Sequence, residues 1–239
     1  MTALLFILMA MLGTIVQTVS GFGFAIIAMM VFPILTGDVA AAAAISGLFA
    51  LTNAVFNTYK YWKEIDWKFV FLPLIGYFVL STISLEIIGA ISNDGMMRFL
   101  GIAMVLLGIY FMFFQSKITI KPNTTNALLA GGLSGILGSL FAIAGPPIAL
   151  YYTMLIENNK FKYLGCINAY FLLSNAYVSV LRFQTGILGL EELHCWVLGL
   201  LGLLLGRIVG GMLLNKVDGK LIKKLVYIVT IVSGICYLF

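Results

Sequence analysis

Two short interruptions hold the groups in this sequence that could do chemistry. Gln17-Thr18-Val19-Ser20-Gly21-Phe22-Gly23 breaks one long apolar run, and Ala144-Gly145-Pro146-Pro147 breaks another. Glycine lets a ligand approach the backbone closely. Proline suits the first helical position, where a missing N–H costs nothing. A helix that restarts after Gly23 or Gly145 leaves four N–H groups without a helical acceptor. Its dipole adds partial positive charge at the same place. Ends of this kind bind anions. Neutral polar side chains stand nearby: Gln17 and Ser20 before the first break, Ser139 before the second, and Asn53 and Asn175 in the runs that follow. They can hold oxyanion oxygens without trapping them by full charge, or they can simply hydrogen-bond neighbouring helices. The candidate anion site is therefore Gln17, Ser20, Gly21, Gly23, Asn53, Ser139, Gly145, Pro146, Pro147 and Asn175.

Other chemistries find no residues. Glu86 is the only one of nine acidic residues inside an apolar run, near its end. It is a candidate proton carrier, or a solvated span end. Arg182 and Arg207 are candidates for coupling or steering, and Arg207 also suits snorkelling to the interface. A single histidine, His194, excludes a multi-histidine metal site, and no carboxylate cluster offers to hold a cation. Cys166, Cys195 and Cys236 form no CxxC and read as small apolar fillers, the alternative being a transport-linked thiol at Cys166. Gly21-Phe22-Gly23-Phe24 lacks the third glycine and the strand of a dinucleotide fingerprint, and no GxxxxGK loop is present. No nucleophile with a base is apparent, so the chain reads as no enzyme, with no cofactor and no metal.

The elements that position these residues are membrane helices. The chain has 239 residues, 62% hydrophobic and 10% charged, far from the balance of a soluble domain. Its apolar runs, roughly 2–35, 39–57, 69–91, 96–114, 124–156, 161–181, 193–214 and 221–239, reach the length of about 20 residues that spans a bilayer. Continuous runs argue for helices over a barrel. No basic segment precedes the first run, which therefore reads as retained. The formal charge of +5 sits in the loops and reports membrane orientation rather than nucleic-acid binding. Gly202, Gly206 and Gly210, like Gly131 and Gly135, recur every four residues and suit close helix packing in lipid.

The sequence partly repeats itself. At a shift of 122 positions, Leu51-Thr52-Asn53-Ala54 falls on Leu173-Ser174-Asn175-Ala176, and Gly23 falls on Gly145. The halves are 1–118 and 122–239, together one transport domain. The first run of each half is too long: 34 residues would make a helix of about 51 Å, against a core of about 30 Å. If these runs cross, the 13 basic residues other than Arg207 divide six against seven; if they fold back, eleven against two. The positive-inside rule favours folding back. The expected fold is thus all-α and integral to the membrane, with six full transmembrane helices and two re-entrant, broken hairpins. That makes eight to ten helical segments in two inverted repeats, with both termini on the outer side.

The two interrupted segments also carry a resemblance. Gln17 to Ala25, followed by Pro33, resembles the first signature of the TauE/SafE sulfite exporter family. Gly131-Gly132-Leu133-Ser134-Gly135-Ile136-Leu137-Gly138, running on to Gly145-Pro146-Pro147, resembles the second. Phe141-Ala142-Ile143-Ala144 stands where the family often has a glycine-rich run. The resemblance implies a multi-pass inner (plasma) membrane permease for sulfite, sulfoacetate or another organosulfonate, with proton coupling. By position it implies a site at Gln17, Ser20, Gly21, Gly23, Gly145, Pro146 and Pro147. The reading is a secondary transporter working by alternating access, the alternative being a passive anion channel. Its expected partners are a small anion and membrane lipid; a homodimer is compatible with the sequence.

Overall fold

The computed structural model describes residues 2–114, 121–156, 159–214 and 219–239, and the regular structure among them is helical. The first interrupted run forms α1 (Thr2–Ser20), α2 (Phe24–Ala28) and α3 (Phe32–Thr36). Then come α4 (Val39–Lys60), α5 (Trp67–Ile88) and α6 (Asn93–Ile109), which ends in a π-helical turn, Tyr110–Phe114. The second interrupted run forms α7 (Thr124–Phe141) and α8 (Gly145–Leu155). They precede α9 (Lys160–Gln184), α10 (Leu190–Leu213) and α11 (Gly219–Cys236). The starts follow from the sequence. Asp38, Ser92, Asn123 and Asn159 each accept, through a side-chain oxygen, a backbone N–H in the first turn of α4, α6, α7 and α9.

Seven helices among the described residues are long and apolar enough to cross a bilayer: α1, α4, α5, α6, α7, α9 and α10. Leu4, Leu8 and Leu12 on α1, and Phe71, Ile75, Val79 and Ile83 on α5, stand exposed at four-residue spacing. Such apolar stripes belong against lipid rather than water. The chain is an all-α, multi-pass membrane protein.

Helix directions follow from the contacts. α1 lies parallel to α10, with Ile7 at Gly202, Met11 at Gly206 and Ile15 at Gly210. α4 also runs with α10, since Phe49 packs at Gly199 and Asn57 bonds Arg207. α1 and α4 therefore point the same way, and the chain must return between them. It does so through α2 and α3: Phe24 packs on Gly13, and Phe32 on Phe6 near the start of α1. The second hairpin has the opposite sense. α7 runs parallel to α5, with Gly131 at Pro73 and Gly135 at Tyr77. α8 then returns until Tyr152 Oη donates to Phe69 O, beside the start of α5, at 3.0 Å. Calling the end where α1 begins the lower end, the first hairpin enters from below and the second from above. α9 runs antiparallel to α4, and α11 antiparallel to α6, where Gly101 meets Gly234.

Two expectations change in detail. The first arms are not half-helices: α1 has 19 residues and α7 has 18, each enough to cross by length. The return arms are short, five residues each in α2 and α3 and eleven in α8. Long first arms gain continuous packing along α10 and α5. Arg182, counted as a loop charge in the orientation argument, is 2% exposed inside the bundle. It leaves the loop tally, and the bias toward one side becomes steeper.

The arms hold by backbone contact. A Cβ at Gly131 would lie 1.8 Å from Pro73 O, and one at Gly202 would lie 2.0 Å from Ile7 O. Nothing lies within 4 Å of a Cβ at Gly211. Gly131→Ala and Gly202→Ala are therefore expected to push helices apart at a cost of about 1–3 kcal/mol. In thermal unfolding in detergent this lowers Tm by about 5 °C, while Gly211→Ala leaves it unchanged or slightly raised. Unaltered Tm in both buried variants would disprove the packing.

Candidate functional site

The first tip is the turn from Ser20 to Gly23. Gly21 and Gly23 have φ of +85° and +104°, a region open to glycine and strained for other residues. Ser20 Oγ donates to Val16 O at 2.8 Å and to Phe22 O at 2.5 Å. Its single proton is shared between these two carbonyls. Below α2, Tyr237 Oη donates to Met29 O and Met30 O, at 2.9 and 2.8 Å. These two hydroxyls satisfy part of the hairpin's freed carbonyls from within. Phe24, Ala25 and Ile26, the first residues of α2, keep N–H groups that a helix start cannot pair.

The second tip is Ala142–Gly145. Ala142 takes the left-handed conformation at φ +58° and closes α7, donating its N–H to Gly138 O. Ser134 Oγ donates to Ala144 O. Pro146 and Pro147 then occupy the first turn of α8. They make the restart inexpensive, but they carry no N–H. The expected four donors fall to those of Ala144 and Gly145. The dipole argument narrows as well: α8 has eleven residues, whereas α2 has five and sums only a small dipole.

The tips meet. The Phe22 side chain lies 2.9 Å from where a Cβ of Gly145 would stand. Between them is a cavity lined by Gln17, Phe22–Ile26, Ala50, Ala142–Pro146, Phe171 and Asn175. Ala50 is near the middle of α4 and Phe171 near the middle of α9, so the cavity sits deep in the bundle. Its free space is about 20 Å³, measured for the centre of a water molecule, or room for about one water. No lining residue is ionisable. Gln17 is 2% exposed and its Oε1 has no hydrogen-bond partner. Asn175 Nδ2 donates to Phe171 O at 2.8 Å.

Arg182 supplies charge nearby. Its Nη1 donates to Ala43 O at 2.9 Å, and its Nη2 to Ser139 O at 2.7 Å and Gly138 O at 3.2 Å. The last two carbonyls form the negative end of α7. No carboxylate pairs with Arg182; among the described residues the one ion pair is Lys162–Asp66. Gly47 makes room, since a Cβ there would lie 2.6 Å from Nη1. Arg182 follows Asn175 by two turns on one face of α9, about 10 Å. A buried cation compensated only by carbonyl dipoles biases this region toward anions.

Of the residues singled out from sequence, Gln17, Gly23, Gly145, Pro146 and Asn175 line the cavity. Ser20 and Gly21 shape the first tip, with Gly21 against Tyr163, Leu164 and Ile167. Asn53 lies one turn above Ala50, gives Nδ2 to Thr14 Oγ1 at 3.1 Å, and leaves Oδ1 unpartnered. Ser139 donates its hydroxyl to Ile136 O, and its carbonyl accepts from Arg182 Nη2. Pro147 faces a separate apolar groove with Leu107, Leu133 and Leu150. Glu86 is exposed near the lower end of α5. Arg207 is half-buried and bonds Asn57. Phe22, Ala50 and Phe171 line the cavity without having been singled out. Phe22 was legible from its place between two glycines at the tip, whereas Ala50 and Phe171 carry no local signal.

The sulfite exporter TauE/SafE family profile matches residues 5–237. A Cupriavidus necator protein named "Probable sulfite/organosulfonate exporter TauE" is 27% identical over 144 residues, 59% of this chain and 56% of that protein. The matched stretch is thus little over half of the relative's length. No solved structure matches the chain. Spread over both interrupted runs and nearly every helix, the family match means that this chain belongs to the sulfite exporter TauE/SafE family of membrane proteins.

Proposed function

We propose that the protein is a secondary transporter of a small sulfur-containing anion, sulfite, sulfoacetate or another organosulfonate, across the inner (plasma) membrane. The observation that carries this reading is the meeting of two hairpin tips from opposite ends of the bundle. They enclose one cavity lined by the residues that begin α2 and α8 and by two carboxamides, Gln17 and Asn175, with no acid. Family membership supports transport rather than catalysis. The relative's printed name supports the substrate class.

Alternating access rests on the same geometry. The halves 1–118 and 122–239 are inverted repeats in this reading. In support, α1 packs on α10 while α7 packs on α5, and the pairs α4/α9 and α6/α11 are antiparallel. A two-fold axis in the membrane plane produces such an exchange. The first tip closes the cavity above, against the start of α9. The second tip, tied by Arg182, closes it below. A space with room for about one water excludes sulfite until a tip moves. Binding and opening are therefore linked. A proton that accompanies the anion travels on the substrate itself, because no lining residue accepts one. The partners in this reading are the anion and membrane lipid, with no nucleic acid, cofactor or metal.

In detergent, saturating sulfite or sulfoacetate is expected to raise Tm by several degrees, about 2.7 kcal/mol at a hundredfold excess over Kd. Neutral controls should do nothing. Gln17→Ala and Asn175→Ala should each weaken apparent affinity at least tenfold, the worth of one hydrogen bond to a charged group, about 1.5–3 kcal/mol. Equal shifts from neutral solutes, or unchanged affinity in both variants, would remove the anion from this cavity. In proteoliposomes, flux should saturate and respond to a pH gradient, and Glu86→Gln should keep that response. Large uncoupled currents would replace the carrier by a channel.

A further inference from the structure

Arg207 carries a charge that the cavity does not use. It lies on α10, six residues before the end of that helix, half-buried within the apolar bundle. Its guanidinium lies 4.4 Å from the ring centroid of Phe56 and gives Nη1 to Asn57 Oδ1 at 3.2 Å. Asn57 gives Nδ2 to Asn168 Oδ1 at 3.2 Å, and Asn168 gives Nδ2 to Leu164 O at 2.8 Å. Asn57 and Asn168 are 5% and 1% exposed. The chain of donors thus crosses from α10 through α4 to α9. It runs outward from a backbone carbonyl, and every amide oxygen in it is occupied. Guanidinium has five N–H donors, and among the described residues Asn57 Oδ1 is its one acceptor. Among the described residues no carboxylate pairs with it.

The depth of this group is informative. Asn57 follows Ala50 on α4 by seven residues, and Asn168 precedes Asn175 on α9 by seven. Because α4 and α9 are antiparallel, both steps go upward from the cavity by two turns, about 10 Å. Gly21 at the first tip packs on Leu164 and Ile167, one turn or less from Asn168. The group therefore stands at the upper mouth, beside the tip that closes the cavity on that side.

We propose that Arg207, set by Asn57 and Asn168, is a second anion subsite, which captures the substrate oxyanion before the first tip admits it to the cavity. The inference rests on the transport reading and deepens it. Free N–H donors on a rigid planar fork suit two oxygens of a sulfite or sulfonate group. Stacking on Phe56 holds the plane. A role confined to snorkelling or packing would need the charge but not the open donors.

The test uses the full chain in proteoliposomes of neutral lipid, with sulfite as probe and initial flux measured across a range of ionic strength. Arg207→Gln is expected to raise KM about tenfold, with maximal rate within twofold of wild type, and to flatten the salt dependence of KM. Asn57→Asp is the second variant. It keeps the arginine and gives it a carboxylate partner, at the loss of the Nδ2 donor to Asn168 Oδ1; with folding checked by Tm, it should raise KM to a similar degree. Arg207→Lys should keep the salt dependence and recover part of the affinity. Unchanged KM and unchanged salt dependence in both Arg207→Gln and Asn57→Asp, with saturable wild-type flux, overturn the subsite alone. Wild-type protein without saturable sulfite flux overturns the transport reading and this subsite with it.

Discussion

An interrupted helix inside an apolar bundle frees backbone groups that lipid cannot satisfy, and the rest of this structure follows from how they are met. Several of the carbonyls are met from within. Ser20 and Ser134 take those at the two tips, Tyr237 takes Met29 and Met30, and Arg182 takes the end of α7. The amide hydrogens are left over. On the proposed reading, the unpaired N–H groups at the two helix starts favour negative charge before any side chain is considered. Gln17 and Asn175 refine it, since a carboxamide turns to present its N–H₂ where an acceptor arrives.

The hairpins are held by the other half of the chain. α1 lies along α10 and α7 along α5, with glycines at the contacts so that one backbone touches the next. Such contact is stiff: it has no flexible side chain to absorb a shift. The short return arms differ. α2 and α3 are single turns separated by Met29–Val31, and α8 begins with two prolines. On the proposed reading, the short second arms, rather than the long first arms, carry the movement that opens the cavity.

Much of this was legible in the sequence. Span-length apolar runs, caps such as Asp38 and Asn159, and glycine and proline in mid-span all announce interrupted membrane helices. The roles of particular polar residues were less legible. Ser20 and Ser139 are short, and a short hydroxyl near freed carbonyls bonds them rather than a ligand. Asn53 is matched to Asn175 in the repeat, yet Thr14 on α1 takes its amide, and no spacing within α4 reveals that partner. Arg182 looked like a loop charge because it stands two residues from the end of α9. Its burial depends on Gly47 and on two carbonyls of α7, which lie far away in sequence. Pro146 and Pro147 marked the break correctly, while their missing N–H groups halve the donors that a generic helix start would supply.

The balance of charge then decides what the site admits. Among the described residues Arg182, buried, and Arg207, half-buried, pair with no carboxylate, and the cavity between them has no acid. Burying two cations is unfavourable unless something negative compensates them. For Arg182 the compensation is permanent: three carbonyls hold it, and losing one would leave a buried charge short of partners. For Arg207 the compensation is partial, one amide oxygen and one aromatic face. On the proposed reading, a bundle that completes one cation and leaves the other with open donors has an energetic reason to accept an anion at its upper mouth. It has a weaker reason to hold that anion in the cavity, where only neutral dipoles touch it. Strong attraction at the entrance with neutral contacts at the centre lets a transporter take up its substrate and also release it.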